Sequence, residues 1–384
     1  MFLKTVGIIC EYNPFHIGHQ KQFRMIRRLC GDDAVIVCLM SGNYVQRGMP
    51  AIFDKSLRAK AAIDCGADLV LELPVTYALS SAEGFAGGGV RILSGFCDNL
   101  CFGSETGSAD RLLETAQALL SEPFSAFLRQ ELDSGKSFPA ARQAALVKMG
   151  SDAALLEKPN DILAVEYCKA ILSQKSPISP LPIVREGSYH DTLPDQENPS
   201  ATAVRSLIMS AQDWKSCIPT EAHATFEDAA VHTLEAGERA ILSRLRTMSD
   251  TDFEALPYGS EGLWRKLMHA VHTEATLEQI LTATKSKRYT RTRLDRMVMC
   301  AYLGITAAQM REPAPYARVL GFSQRGIAAL KAARETGLFP HTGEKVDHPY
   351  QALERRCDDL YGLFATDEVF PAGITEDRRI YFPK

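Results

Sequence analysis

An α/β fold with a parallel sheet, followed by a mostly α-helical C-terminal region, is predicted by three observations. Short apolar runs alternate with amphipathic helical stretches through the first hundred residues. The run Ala34–Met40 is apolar throughout, as expected of a strand buried on both faces. Beyond about residue 213 the pattern changes to long amphipathic helices with no convincing strand. Strand–helix alternation places helices on both faces of a parallel sheet.

The elements follow in order. Val6–Cys10 is the first strand. The next stretch, His19–Leu29, has Phe23, Ile26 and Leu29 at helical spacing and Lys21, Arg24, Arg27 and Arg28 on the opposite face. Asp54–Cys65 is a helix with Asp54 as N-cap and Gly66 just past its end. Leu69–Leu73 is a strand, Ser81–Leu93 a helix, and Asn99–Phe102 a strand ending at Gly103. Residues 108–175 read as helical, Leu181–Val184 as a strand bracketed by prolines, and a helix starts at about Ser200. The division falls at 1–212 and 213–384; at roughly 100–200 residues per domain, a chain of 384 residues accommodates two.

Apolar residues make up 46% and charged residues 23%, which excludes bulk disorder. The formal net charge of −4 excludes a protein that coats nucleic acid by global charge, though not a local basic face. Ten cysteines with no C-x-x-C pair read as free thiols of a reduced, cytoplasmic protein with no disulfide-linked partner. No run of about 18 apolar residues occurs, so no membrane partner is expected. His269 and His272 lack a third ligand, and no metal site is assigned.

The chemistry concentrates in Cys10-Glu11-Tyr12-Asn13-Pro14-Phe15-His16-Ile17-Gly18-His19, where the first strand gives way to the first helix. Such a junction offers free N–H groups and a positive helix end to an anion. Gly18 lets a phosphate approach the backbone, and His16 and His19, three apart, can face one side of the helix start. Two imidazoles there can donate to phosphates of ATP and stabilise charge as pyrophosphate departs. The competing reading is a pair of histidines that merely cap a helix.

His16-Ile17-Gly18-His19 is similar to the H-x-G-H signature of the nucleotidyltransferase superfamily, and Ser200-Ala201-Thr202-Ala203-Val204-Arg205 to its second, phosphate-contacting turn. EYNPFHIGH, SGNYVQRGMPAIFDK, GADLVLELP, FGSE, KPNDILAVEY, REGSYHD, SATAVRS and KRYTRTRLDR, in this order, resemble the tRNA(Met) cytidine acetate ligase family. The resemblance implies a Rossmann-like nucleotidyltransferase domain that activates acetate with ATP as acetyl-adenylate. The acetyl group then passes to N4 of the wobble cytidine of elongator tRNA(Met). It implies ATP as substrate, with Mg²⁺ bridging phosphate oxygens, and no dedicated protein cage for the ion is visible.

Carried over by residue, His16 and His19 are catalytic. The nucleotide would be wrapped by Ile9, Cys10, Glu11, Tyr12, Asn13, Pro14, Phe15, Ile17, Gly18, Gln20, Lys21 and Gln22. Gly103, Asn160, Arg185, Glu186, Ser200, Thr202 and Arg205 would meet it from other elements. From the residues alone, Asn160 reads equally as an ordinary N-cap, and Arg185 equally as half of an ion pair. Asn43, Gln46 and Arg47 either line an acetate or cytidine pocket, with Arg47 holding the carboxylate, or order their loop. His190 and Asp191 read as a solvated pair or as groups acting on the cytidine amine. Residues 285–296 carry six Lys/Arg and one acidic residue, a local charge of +5. Lys287, Arg288, Tyr289, Arg291, Arg293 and Arg296 are tRNA-binding candidates, against the reading of a solvated basic helix. Two other functions stay open: a small-molecule adenylyltransferase, and a nucleotide-gated RNA-binding protein without turnover.

Overall fold

A computed structural model describes residues 4–184, 199–339, 348–367, 370–372 and 380–383. The strands are β1 (Thr5–Cys10), β2 (Val35–Ser41), β3 (Tyr44–Val45), β4 (Met49–Pro50), β5 (Leu69–Leu73), β6 (Asn99–Ser104), β7 (Ser179–Val184) and β8 (Val319–Phe322). Six of them form one sheet in the order β7-β6-β1-β2-β5-β8, and β3 and β4 form a small antiparallel pair. Every neighbour in the large sheet is parallel except β5 and β8.

All seven residues of β2 are buried, as its unbroken apolar run requires. Val35, Val37 and Leu39 enter the core on one face, with the Ala82–Leu93 and Pro159–Ser173 helices. Ile36, Cys38 and Met40 enter the other, with Phe23 and Ile26 of α1 (Ile17–Cys30) and Ala59 and Ala62 of α2 (Lys55–Asp64). This two-residue alternation is the pleat of a strand covered on both sides. A third core lies among the C-terminal helices around Leu245, Leu267, Leu294 and Met297.

β8 departs from the sequence expectation, which placed no strand after residue 213. Its four residues lie antiparallel along β5, with Leu69 opposite Phe322 and Val70 opposite Gly321. A short strand with a central glycine, set among long helices, carries no period-2 signal. Gly103 also differs from expectation: it lies within β6, paired with Ile183, and Ser104 ends the strand.

The chain runs outward from β1 through β2 to β5, then returns to the other side of β1 for β6 and β7. The order therefore reverses between β1 and β6. In open parallel sheets, ligands bind outside the strand carboxyl ends at such a reversal. The turns after β1 and β6 both leave the sheet on that side. Among the described residues no helix is long and apolar enough to cross a membrane, and all ten cysteines are free.

Candidate nucleotide site

β1 ends at Cys10, and the chain turns sharply through Tyr12, whose φ is +43°. The Tyr12 side chain points into the core and meets the Cys38 thiol at 3.2 Å; Phe15 is also buried. Both rings pack against the His19 imidazole, at centroid distances of 4.7 and 5.5 Å. Tyr12 and Phe15 thus shape the turn from below, and Ile9 and Cys10 belong to the buried strand.

His16 is the N-cap of α1. Its Nδ1 accepts the Gly18 N–H at 3.1 Å, while the His16 N–H donates to Nδ1 of His19 at 3.2 Å. The rings stack at 3.7 Å and 28°. The capping reading is therefore correct, and the cap fixes both rings side by side. With both Nδ1 atoms accepting, each neutral ring carries its proton on Nε2, which is therefore a donor. His16 is buried and His19 half-buried, which makes His19 the more accessible of the two. A Cβ on residue 18 would lie 2.9 Å from Cε1 of His16, so glycine is needed for the ring as well as for any phosphate.

The second signature closes on the first. Ser200 caps the Ala201–Met209 helix through the Ala203 N–H. Arg205 donates to the Asn13 carbonyl at 2.7 Å and to Thr202 Oγ1 at 3.1 Å. Asn13 Oδ1 in turn accepts the Ile52 N–H at 2.8 Å. The Pro199 carbonyl lies 4.0 Å from where a Gly18 Cβ would stand. Two helix N-termini and Arg205 thus gather about one spot, an arrangement suited to a polyphosphate, while Lys21 lies half-buried in α1. Gln20 reaches Glu221, and Gln22 reaches the Cys101 sulfur.

Across the strand reversal, Asn160 is not an N-cap: the Pro159–Ser173 helix is capped at Lys158, with Asn160 in its first turn. The Glu105 carboxylate accepts from the Asn160 amide at 2.8 Å and from the Asp161 N–H at 2.8 Å. Asp161, fully buried, takes hydrogen bonds from Ser104 Oγ, Thr106 Oγ1 and the Thr106 N–H. Glu105 and Asp161 were missed as site-building residues, although both lie in quoted segments, FGSE and KPND. Arg185, Glu186, His190 and Asp191 lie outside the described residues.

The loop after β2 is held from several directions. Arg58 of α2 is completely buried and donates to the carbonyls of Glu11 (2.6 Å), Phe53 (2.8 Å), Ser41 (3.1 Å) and Gly42. Burial pulls its guanidinium below the usual arginine range. Asn43 Oδ1 accepts the Lys55 N–H at 2.9 Å, and its amide reaches Asp358 at 3.0 Å. Lys55 Nζ pairs with Glu72 at 2.9 Å and Asp358 at 2.7 Å. Burial opposes the ammonium, but these two carboxylates outweigh it and hold Lys55 above the usual lysine range. Asn43 thus orders the loop. Gln46 donates its N–H to Glu11 Oε1 at 2.7 Å and its amide to the Ser80 carbonyl, while Arg47 is exposed.

The basic segment is largely committed to internal partners. Arg288 and Tyr289 both contact Glu261, at 3.0 and 2.8 Å. Arg291 is bidentate to Glu278 (2.8 and 2.7 Å) and reaches Asp295. Arg293 donates to the Tyr258 carbonyl and stacks over the Tyr289 ring. Arg296 is buried, over the Tyr258 ring, and donates to the Gln46 carbonyl. Gly48 makes this approach possible: at φ +78°, a Cβ there would stand 2.4 Å from the Arg296 nitrogen. The Arg291–Leu303 helix therefore lies directly on the loop that Glu11 holds.

The family described as HIGH Nucleotidyl Transferase matches residues 3–371. A tRNA(Met) cytidine acetate ligase of Acetivibrio thermocellus is 37% identical over 372 residues, covering 88% of this chain and 87% of the relative. The chain belongs to the tRNA(Met) cytidine acetate ligase family. The apo crystal structure of Thermotoga maritima TmcAL, 29% identical, superposes with a TM-score of 0.90 and covers 99% of both chains. The form bound with alpha-thio ATP, 28% identical with the same coverage, superposes at 0.87. Thermotoga maritima TmcAL thus shares this arrangement of sheet and helices along essentially the whole chain.

Proposed function

We propose that this chain activates acetate with ATP as acetyl-adenylate and transfers the acetyl group to N4 of the wobble cytidine of elongator tRNA(Met). The observation that carries the reading is the stacked His16–His19 pair at the strand reversal, with both Nδ1 atoms tied to the helix cap. It is joined by membership of a family whose relatives bear that name. Free acetate does not acylate amines, and the cytosine amino group is a poor nucleophile, its lone pair being delocalised into the ring. A mixed anhydride with AMP supplies the driving force.

Attack of the acetate oxygen on the α-phosphate expels pyrophosphate. The Nε2–H groups of His16 and His19 and the guanidinium of Arg205 stabilise the charge that develops, and the two helix N-termini orient it. Among the described residues no group of three or more His, Cys, Asp or Glu stands together as metal ligands, so Mg²⁺ would arrive on the ATP phosphates. Residues 1–212 then carry the catalytic groups, with Val319–Phe322 completing their sheet, the rest of 213–384 contributes to tRNA binding, and the enzyme works in the cytoplasm.

The direct test is mass spectrometry of elongator tRNA(Met) incubated with the protein, ATP and isotopically labelled acetate. An acetyl mass increment on the anticodon cytidine, dependent on all three, is expected; an unmodified tRNA beside formed acetyl-adenylate overturns the transfer step.

The RNA surface is argued from exposure. Lys287 and Arg288 are exposed, and the Arg288–Glu261 ion pair joins two solvated side chains. Such a pair contributes little, so the guanidinium can exchange it for a phosphate at small cost. The double substitution Lys287→Glu, Arg288→Glu is expected to weaken tRNA binding and to reduce the slope of log affinity against log salt by roughly one to two. Titrations at several salt concentrations check this; an unchanged slope removes the segment from the RNA surface.

A further inference from the structure

Acetyl transfer requires a group to take the proton that N4 of cytidine loses as its bond to the acetyl carbon forms. The paired histidines are poorly suited: each neutral ring holds its proton on Nε2 and has committed Nδ1 to a backbone N–H. Glu105 is occupied by Asn160 and Asp161, and Asp161 by Ser104 and Thr106. Glu221 bonds Gln20.

Glu11 differs. It follows directly on β1, between the histidine turn and the Asn43–Arg47 loop, and is half-buried. Its carbonyl is held by Arg58 and its Oε1 by the Gln46 N–H, which fixes the side chain while leaving Oε2 without a hydrogen bond among the described residues. We propose that Glu11 is the general base of acetyl transfer, receiving the N4 proton on Oε2.

The inference rests on the functional reading above. In the step, the N4–C(acetyl) bond forms and the C–O bond to AMP breaks. The bonding pair stays on the phosphate oxygen of AMP, and the N4 proton moves to Glu11 and then to water. The environment suits the role. Burial raises the Glu11 carboxyl above the usual carboxylate range, which makes its anion a stronger base. The Gln46 N–H, Arg205 of the Ala201–Met209 helix, Arg47 of the loop and Arg58 of α2 oppose that rise and keep the anion accessible. Tyr167 of the Pro159–Ser173 helix also faces it, with its own hydroxyl pushed well up by burial. Positioned bases of this kind contribute about 10²–10⁴-fold.

Glu11→Gln preserves the acceptor for the Gln46 N–H and removes the base. The test preforms acetyl-adenylate on the full chain and mixes it with tRNA(Met). Single-turnover transfer is followed as a function of pH, beside acetate-dependent pyrophosphate exchange. The wild-type transfer rate is expected to rise with pH to a plateau, on a limb above the ordinary carboxylate range. In Glu11→Gln, transfer should fall at least about 100-fold more than exchange, and the limb should vanish. Glu11→Asp should transfer more slowly and keep a limb, which a purely structural role for the glutamate does not require. A limb that survives in Glu11→Gln, or transfer and exchange that fall together, overturns the assignment. A wild-type chain that forms acetyl-adenylate but no acetylcytidine overturns it together with the functional reading, whereas fast transfer by Glu11→Gln overturns the base alone.

Discussion

Acetate-dependent pyrophosphate exchange should fall by about 10²–10³-fold in His19→Ala, with tRNA affinity retained. His19 is the more exposed of the stacked rings, and with its Nδ1 accepting the His16 N–H its neutral ring carries a donor at Nε2. Alanine also removes the acceptor of the His16 N–H, a loss worth about 1 kcal/mol of helix capping. His19→Asn separates the two effects, because an amide oxygen can restore the cap without reproducing a donor at the Nε2 position. Loss of exchange in both variants, with a near-normal melting temperature for His19→Asn, is the expected pattern. Full exchange activity in His19→Asn, or parallel loss of exchange and tRNA binding in either variant, contradicts the division of labour.

The second large effect concerns stability. Arg58→Met is expected to cost about 3–5 kcal/mol, because it strands buried carbonyls of Phe53, Glu11, Ser41 and Gly42 at once. These carbonyls lie on the carboxyl side of β1 and β2, so the loss should loosen the turn and the loop that frame the site. Arg58→Lys should recover little, since an ammonium cannot span four acceptors that a planar fork reaches. Urea unfolding monitored by two probes measures the cost; a shift below about 1 kcal/mol refutes this account of Arg58.

The sheet was legible because strands buried on both faces leave unbroken apolar runs: β5 falls at Leu69–Leu73, as expected, and β2 within a residue of its expected ends. The histidine turn was legible because its chemistry is contiguous. The buried charges were not. Lys55 and Arg58 occur in KSLRAKAAID, where nothing in the local pattern marks either as buried, and Asp358, which pairs with Lys55, lies 303 residues away. The basic segment shows the converse. Its local +5 invited an outward reading, but Glu261 and Glu278, from earlier in the chain, engage part of it, and Arg296 turns inward. Pattern reports the residue type and not the partner that distant chain delivers.

The antiparallel partner of β5 has a bearing on biosynthesis. A ribosome must add about 250 residues after Leu69–Leu73 before Val319–Phe322 is made, and until then the Leu69–Leu73 flank shows unsatisfied amide and carbonyl groups to its surroundings. The nascent N-terminal half is therefore sticky along one side for most of its production, and a fragment cut at residue 212 would keep that adhesive border permanently.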